Sequence, residues 1–451
     1  MKHCIPWMVL LLAGCASYEP APLASETDLV RRVETLSVDA SAMPTAGLRT
    51  HRFDPSDGLD ATELAMLAVA ANPDLKAARA DLGVTRAQAF AAGLLPDPQL
   101  AIGGERMLHP VPGATTAFSL GLTIDVAAIL ARSSARAAAD GQTRQAVLSL
   151  LWQEWQVVAQ ARLAFAKLRA LDDTRALLAQ REAALRPQVA HARDALARGL
   201  VTSDAVAPLL AALADVDRQR SDALRLDNQA RHDLNALVGV APDVVLPLVG
   251  DAEVATITEA QAAAALAQAP RRRPDLLALQ AGFESQDARY RGALAAQFPT
   301  LTVGPTRARD TSNVNTQGLA LGLSLPLFNR NRGNIAIERA TREKLRVDWQ
   351  QRLDAAASDT DRLLRERALA QRQLAEAEAA AADLRRVADH AETAFAAHAL
   401  DALALTNAEQ AWLAKALEAV AARQSLQEQA IALQALLGGE FDTPSPSPDH
   451  P

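Results

Sequence analysis

The stretch NPDLKAARA, residues 72–80, returns as RPDLLALQA at residues 273–281, and the correspondence runs on without a gap. Pro98, Leu100 and Gly103 meet Pro299, Leu301 and Gly304, and LGLTI at 120–124 meets LGLSL at 321–325. Self-similarity at a fixed separation marks a tandem duplication, so the two halves are read as the same ordered elements. Each half predicts a helix, over 60–93 and 273–297, followed by proline-marked strand starts near 98 and 299. Phe118, Leu120, Leu122, Ile124 and Val126 then alternate with Ser119, Gly121, Thr123 and Asp125. In the second half Leu319, Leu321, Leu323, Leu325 and Leu327 alternate with Ala320, Gly322 and Ser324. A period of two gives one greasy face and one small or polar face. Strands of about ten residues cross an outer-membrane hydrocarbon layer when tilted. Their partners are expected over 98–108 and 299–309. Alternation by itself also fits two hairpins lying on a soluble core.

Outward from each hairpin lies a much longer segment of helical period. Residues 130–197 hold no glycine after Gly141 and one later proline, Pro187, while Leu148, Leu151, Trp155 and Val158 recur at helical steps. A helix of that span extends roughly 100 Å, which no single compact domain accommodates comfortably. Residues 203–238 predict a returning helix, bent near Pro208, and the pattern repeats over 332–397 and 403–437. Such helices gain stability by packing their stripes, with alanine allowing close approach. Trp152, Trp155, Trp349 and Trp412 read as packing anchors. RGLVTSDAV at 198–206 and AHALDALAL at 397–405 join the helix pairs as turns, with Ala399 expected in the place of Gly199. A smaller helix is expected at about 258–269 in the segment between the halves.

Composition agrees with long helices. Of 451 residues, 49% are hydrophobic, only 4% aromatic and 22% charged. A formal charge of -7 offers no broad attraction to nucleic acid, and none is expected as a partner. The two cysteines, Cys4 and Cys15, lie within the first fifteen residues, so no thiol remains for a disulfide, a metal cluster or a nucleophile in the folded body. MKHCIPWMVLLLAGC reads as an export signal, too short to span a bilayer. Leu12-Ala13-Gly14-Cys15 resembles a bacterial lipoprotein processing box that makes Cys15 the lipidated first mature residue; an ordinary secretory signal with an incidental cysteine is the alternative. No HExxH, Walker A or dinucleotide-binding glycine signature is present, and GGER at 103–106 reads as a flexible part of the outer hairpin. His390 and His398, eight residues apart on a helix, stand roughly 12 Å from one another, too far to share an ion. No catalytic residue, metal site or cofactor is expected.

The duplicated hairpins, together with NPDL, RGLVTSDAV and SLPLFNRNRGNIAIERA, resemble the TolC-like outer-membrane efflux factors over roughly residues 60–440. LPLFNRNRGNI, where Pro326 follows a strand and Asn329 to Gly333 turn it into a helix, is similar to the heavy-metal cation branch associated with resistance-nodulation-division pumps. The resemblance implies a mixed α/β membrane protein. Its duplicated long α-helical hairpins form a periplasmic barrel, and four β-strands per chain contribute to a trimeric twelve-stranded transmembrane β-barrel. The division expected is a signal peptide at 1–14, a lipidated arm at 15–58, a first repeat at 59–240, a linker at 241–272, a second repeat at 273–440 and a flexible tail at 441–451. The implied function is a passive exit duct for heavy-metal cations in the Gram-negative outer membrane. It is lipid-anchored, works as a homotrimer and joins a periplasmic adaptor and an inner-membrane pump. A duct for organic drugs or type I protein secretion shares this fold, and a non-pore periplasmic scaffold explains the helices without the strands.

For the site residues, Gly199, Leu200, Thr202 and Ser203 resemble a turn used for adaptor contact, with Leu400 and Ala402 taking the positions of Leu200 and Thr202 in the second turn. Asp204 and Asp401 are candidates for an acidic pore entrance that favours cations. Capping of helix ends is the competing reading of both acids.

Overall fold

The computed structural model describes residues 18–33, 36–109, 112–251 and 257–438. Cys15 and the tail at 441–451 lie outside the described residues. After a short helix α1 (Ala46–Thr50), Asp60 opens α2 (Ala61–Ala71) with a capping box. Its carboxylate accepts the Thr62 and Glu63 amides at 2.7 and 2.8 Å, and Glu63 accepts the Asp60 amide at 3.0 Å. The single helix expected over 60–93 is two helices. Pro73 cannot donate to the helical ladder and holds Asn72 in a non-helical conformation, so α2 stops and α3 (Pro73–Ala92) starts afresh. Asn72 accepts the Leu75 amide at 2.9 Å as the new cap.

Strand β1 (Gln99–Glu105) and β2 (Ala117–Asp125) follow, and β2 passes directly into α4 (Val126–Ala197). Val126, expected at the end of the strand, is the first residue of that helix, because Asp125 caps it by accepting the Ala128 amide at 3.0 Å. The GGER stretch is likewise not loose, since Gly103 to Glu105 belong to β1. Helix α4 is unbroken over 72 residues, about 110 Å. Helix α5 (Ser203–Leu237) returns along it, and both carry a proline close to their shared turn, Pro187 and Pro208.

The second half repeats the order. Helix α6 (Glu259–Arg272) precedes α7 (Pro274–Ala295) as α2 precedes α3, with Arg273 at the break where the first half has Asn72. Then come β3 (Thr300–Arg309), β4 (Asn315–Ser324), α8 (Arg332–Ala396) and α9 (Ala402–Leu437). Neither α8 nor α9 contains a proline. Arg273 offers no capping bond. Its guanidinium folds onto Asp275 at 3.0 and 2.7 Å and lies 5.2 Å from the Trp152 ring centre.

The four strands form one antiparallel sheet in the order β1-β2-β3-β4, so the two hairpins lie side by side. Leu100 faces Leu122, Ile102 faces Leu120, Ile124 faces Val303 and Leu301 faces Leu323. These partners share a face of the sheet, and all but Val303 are exposed, from 37% at Leu120 to 66% at Ile102; Leu319 and Leu321 continue the face at 66% each. The opposite face carries Ser119, Gly121, Thr302, Gly304, Ala320 and Gly322. The β2–β3 ladder lapses at Leu122 and Thr123, beside Gly304 and Pro305.

The main core lies around α2. Leu64, Met66, Leu67, Phe165, Leu168, Leu234 and Val238 are fully buried there, joined by Leu48 of α1 and Ile431 of α9. The N-terminal segment is stitched to the segment after α5 by parallel bridges, Val30 with Val240 and Leu59 with Leu248. A second cluster lies near the shared turns, where Leu178, Leu185 and Val189 of α4 meet Leu209 and Val216 of α5 and Leu413 of α9. No helix of the described residues is long and apolar enough to cross a membrane.

Candidate functional site

Two regions of the fold present chemistry outward: the exposed apolar face of the sheet and, at the far ends of the long helices, two turns. In the first turn α4 closes when Gly199 enters the left-handed region at φ 70°, where glycine carries no steric penalty. The Leu200 amide then reaches back to the Ala195 carbonyl at 2.9 Å, and the Gly199 amide to Leu196 at 2.9 Å. This crossed pair satisfies carbonyls that the helix end leaves open. The second turn has the same bonds, from Ala399 to Ala394 at 2.8 Å and from His398 to Phe395 at 3.0 Å.

The residue at the left-handed position of the second turn is His398, at φ 57°. The pairing expected from sequence is therefore displaced by one. His398, not Ala399, stands where Gly199 does, so Leu400 corresponds to Val201 and Ala402 to Ser203. The short second turn gave no glycine to fix its register, and a histidine adopts the conformation instead. Asp401 then corresponds to Thr202, the residue just before the helix, and accepts the Ala404 amide at 2.7 Å as the cap of α9. Thr202 makes no such side-chain bond.

Gly199, Leu200, Thr202, Ser203 and Asp204 are all exposed, Leu200 at 72%, whereas Leu400 and Ala402 are half-buried. The charges differ as well. Residues 190–204 balance Arg193 and Arg198 against Asp194 and Asp204; residues 389–403 hold Glu392 and Asp401 beside an Asp389 that pairs with Arg385 at 2.9 Å, and have no lysine or arginine of their own. The negative field at this end thus comes mainly from the second turn.

A charged cluster that sequence reasoning missed sits inward of the turns. Arg181 of α4, 2% exposed, bonds Glu409 of α9, joining the two halves. Its Nε and one terminal nitrogen are buried without a hydrogen-bond partner. Burial pushes the Glu409 carboxyl up and the Arg181 guanidinium down, and each partly offsets the other. Next to it, Glu182 takes hydrogen bonds from Arg186 and Arg220, which hold its carboxyl below the usual range. A signal for this cluster exists in the sequence. Leu178, Arg181, Leu185 and Leu405, Glu409, Leu413 place a charge inside each apolar stripe.

Among the described residues one group, His51, Asp60 and Glu63, has the composition of a metal site. Its carboxylates are already committed. Glu63 accepts the Asp54 and Asp60 amides, and Asp60 holds the first turn of α2 while its second oxygen lies 3.2 Å from His51. The group reads as a helix cap.

Residues 255–439 match the outer membrane efflux protein family. The match lies in the second half of the chain. The fold of the whole chain is shared with solved outer-membrane channel structures. It matches CusC at a TM-score of 0.71 and 17% identity, over 88% of this chain and 98% of that one. A membrane protein from Pseudomonas aeruginosa matches at 0.72 and 18%, over 95% and 98% of the two chains. The open state of the Neisseria gonorrhoeae MtrE outer membrane channel matches at 0.69 and 19%, over 84% and 88%. At these identities the likeness is one of fold. A search of curated protein sequences finds no match. The first half, which lies outside the family match, carries the same element order as the matched half, as its repeat requires.

Proposed function

We propose that the chain is one subunit of a trimeric outer-membrane exit duct that passes heavy-metal cations outward in a tripartite efflux system. The observation that carries the duct is the sheet. Its large apolar residues are exposed on one face over the part nearest the helices, small and polar residues line the other there, and β2 runs straight into a helix about 110 Å long. An exposed apolar face suits lipid, and edges left open on β1 and β4 require further strands, which two more copies supply. The duct performs no chemistry of its own. Energy comes from an inner-membrane pump, coupled through a periplasmic adaptor that meets Gly199, Leu200, Thr202 and Ser203 at the first turn and Leu400 and Ala402 at the second. Cys15 carries the lipid anchor. Intact-mass analysis of the mature chain should show acyl groups on Cys15, and an unmodified mature chain retaining that cysteine counts against the anchor.

The cation reading is supported by the acidic second turn. Three copies place Asp401 and Glu392 around one axis, with Asp204 adding to them. Asp204→Asn with Asp401→Asn removes charge at both turns, and asparagine still caps a helix, so α9 keeps its start. In planar bilayers the wild-type trimer should prefer cations at low salt, and the double variant should lose much of that preference. The difference should fade as the Debye length falls below about 10 Å above 0.1 M salt. Unchanged cation-to-anion permeability in a conducting double variant would refute the acidic entrance and leave Asp401 as a helix cap alone.

A further inference from the structure

On the apolar face of the sheet the register also orders polarity along the strands. The end nearest the helices is fixed, because Asp125 of β2 adjoins α4; the opposite end therefore points away from the helical part. Moving outward along β3, Leu301 faces Leu323, Val303 faces Leu321 and Pro305 faces Leu319. The next pair on this face is Arg307 with Gln317, and the next Arg309 with Asn315. On the β2 side Arg307 faces Leu120 and Arg309 faces Phe118. None of these paired positions carries a carboxylate. Arg309 is oriented by a bond from its terminal nitrogen to the Thr116 carbonyl at 3.1 Å. Beneath Arg307 an open groove runs between the strands, lined by Leu100, Leu120, Leu122, Pro305 and Gln317.

We propose that Arg307, Arg309 and this groove form a binding site for an anionic lipid of the outer leaflet, with the arginines on its phosphate and an acyl chain along the groove. The inference rests on the outer-membrane reading of the sheet. Arginine on a lipid-facing surface is tolerated near the interface and not at the centre, and the two occupy the outer border of the apolar band. Successive same-face positions on a strand lie about 7 Å apart, so two guanidinium groups there can hold one phosphate between them, the exposed Arg307 with paired donors and the half-buried Arg309, whose Nε is buried, with its remaining terminal nitrogen. Leu100, Leu120 and Leu122 give the chain of the same lipid an apolar bed, which a soluble anion has no use for. Phe118, level with Arg309, adds an aromatic ring at the same border.

The test uses the full-length assembly in detergent, titrated with bisphosphorylated lipid A and, in parallel, with the same lipid stripped of its phosphates, counting bound lipid by native mass spectrometry. Arg307→Gln with Arg309→Gln should weaken binding of the phosphorylated lipid about thirtyfold at low salt, from about one kcal/mol per arginine. Binding of the stripped lipid should not change. Arg307→Lys with Arg309→Lys should recover most of the loss, because the charge remains. Equal affinity of the wild type and the glutamine variant for the phosphorylated lipid overturns the site. So does equal weakening for both lipids, which would make the groove a purely apolar surface. Conductance of the wild type in lipid bilayers is recorded alongside. A conducting wild type with indifferent arginines refutes this inference and leaves the duct standing, whereas a wild type that neither inserts nor conducts refutes the duct itself.

Discussion

Arg181 occupies a place in the α4 stripe where neighbouring turns carry Leu178 and Leu185, and it survives there because Glu409 comes across from α9 to meet it. Two charges removed from water are expensive, so such a pair adds little net stability but punishes loss of either partner. Glu409→Gln or Arg181→Met alone should lower the stability of the helical part by about 3 kcal/mol, while Arg181→Met with Glu409→Leu should recover most of it. Thermal melts followed by helical circular dichroism separate these outcomes, and additive losses in the double variant would refute the pairing. Glu182, one residue on, titrates in the other sense. Hydrogen bonds from Arg186 and then Arg220 hold its pKa below the ordinary glutamate value of 4.5. Its contribution is therefore complete above that value and is lost as the pH falls through the lower folded one. Glu182→Gln should destabilise at pH 7 by an amount that shrinks as the pH falls below 4.5, and a gap that widens with acid would contradict the assignment. The cluster is hard to read in the sequence because its charges stand inside stripes whose period is carried by leucines.

Among the elements, the seam between β2 and β3 joins the two halves of the duplication, and Gly304 sets its closeness. A Cβ at Gly304 would stand 1.6 Å from the Leu122 carbonyl oxygen, inside any contact distance, whereas one at Gly121 would meet the Thr306 methyl at an ordinary 3.6 Å. Pro305, which has no amide to donate, lies at the same lapse in the ladder. Gly304→Ala should therefore prevent the sheet from assembling and abolish the heat-resistant oligomer on a gel, while Gly121→Ala should leave it intact. Equal behaviour of the two would show that the seam is looser than its geometry. The strands and long helices were legible because their periods are long and regular. The break at Asn72 is hidden in the sequence because the apolar pattern runs through it, and only proline's missing donor stops the helix. The one-residue displacement of the second turn escaped for the opposite reason: the left-handed position, which in the first turn is marked by Gly199, is filled by His398.

For the whole molecule, an open four-stranded sheet with one apolar face exposed cannot be the finished membrane structure, since β1 and β4 each keep an unpaired edge. Light scattering in mild detergent should give three chains per particle, and a stable monomer that conducts would overturn the trimeric duct. The repeat gave the architecture of one chain from sequence alone, because duplication doubles every signal, but the substrate left no comparable mark on composition or spacing. The duplication is also unequal in one respect. The first helical pair carries Pro187 and Pro208 on either side of its turn, and the second pair carries none. Each proline deletes a backbone bond and lets its helix yield at that level. A load applied to the two fingertips would thus be met differently: the first finger flexes at a knuckle just behind its tip, and the second swings as a stiff lever whose movement must be taken up at its root.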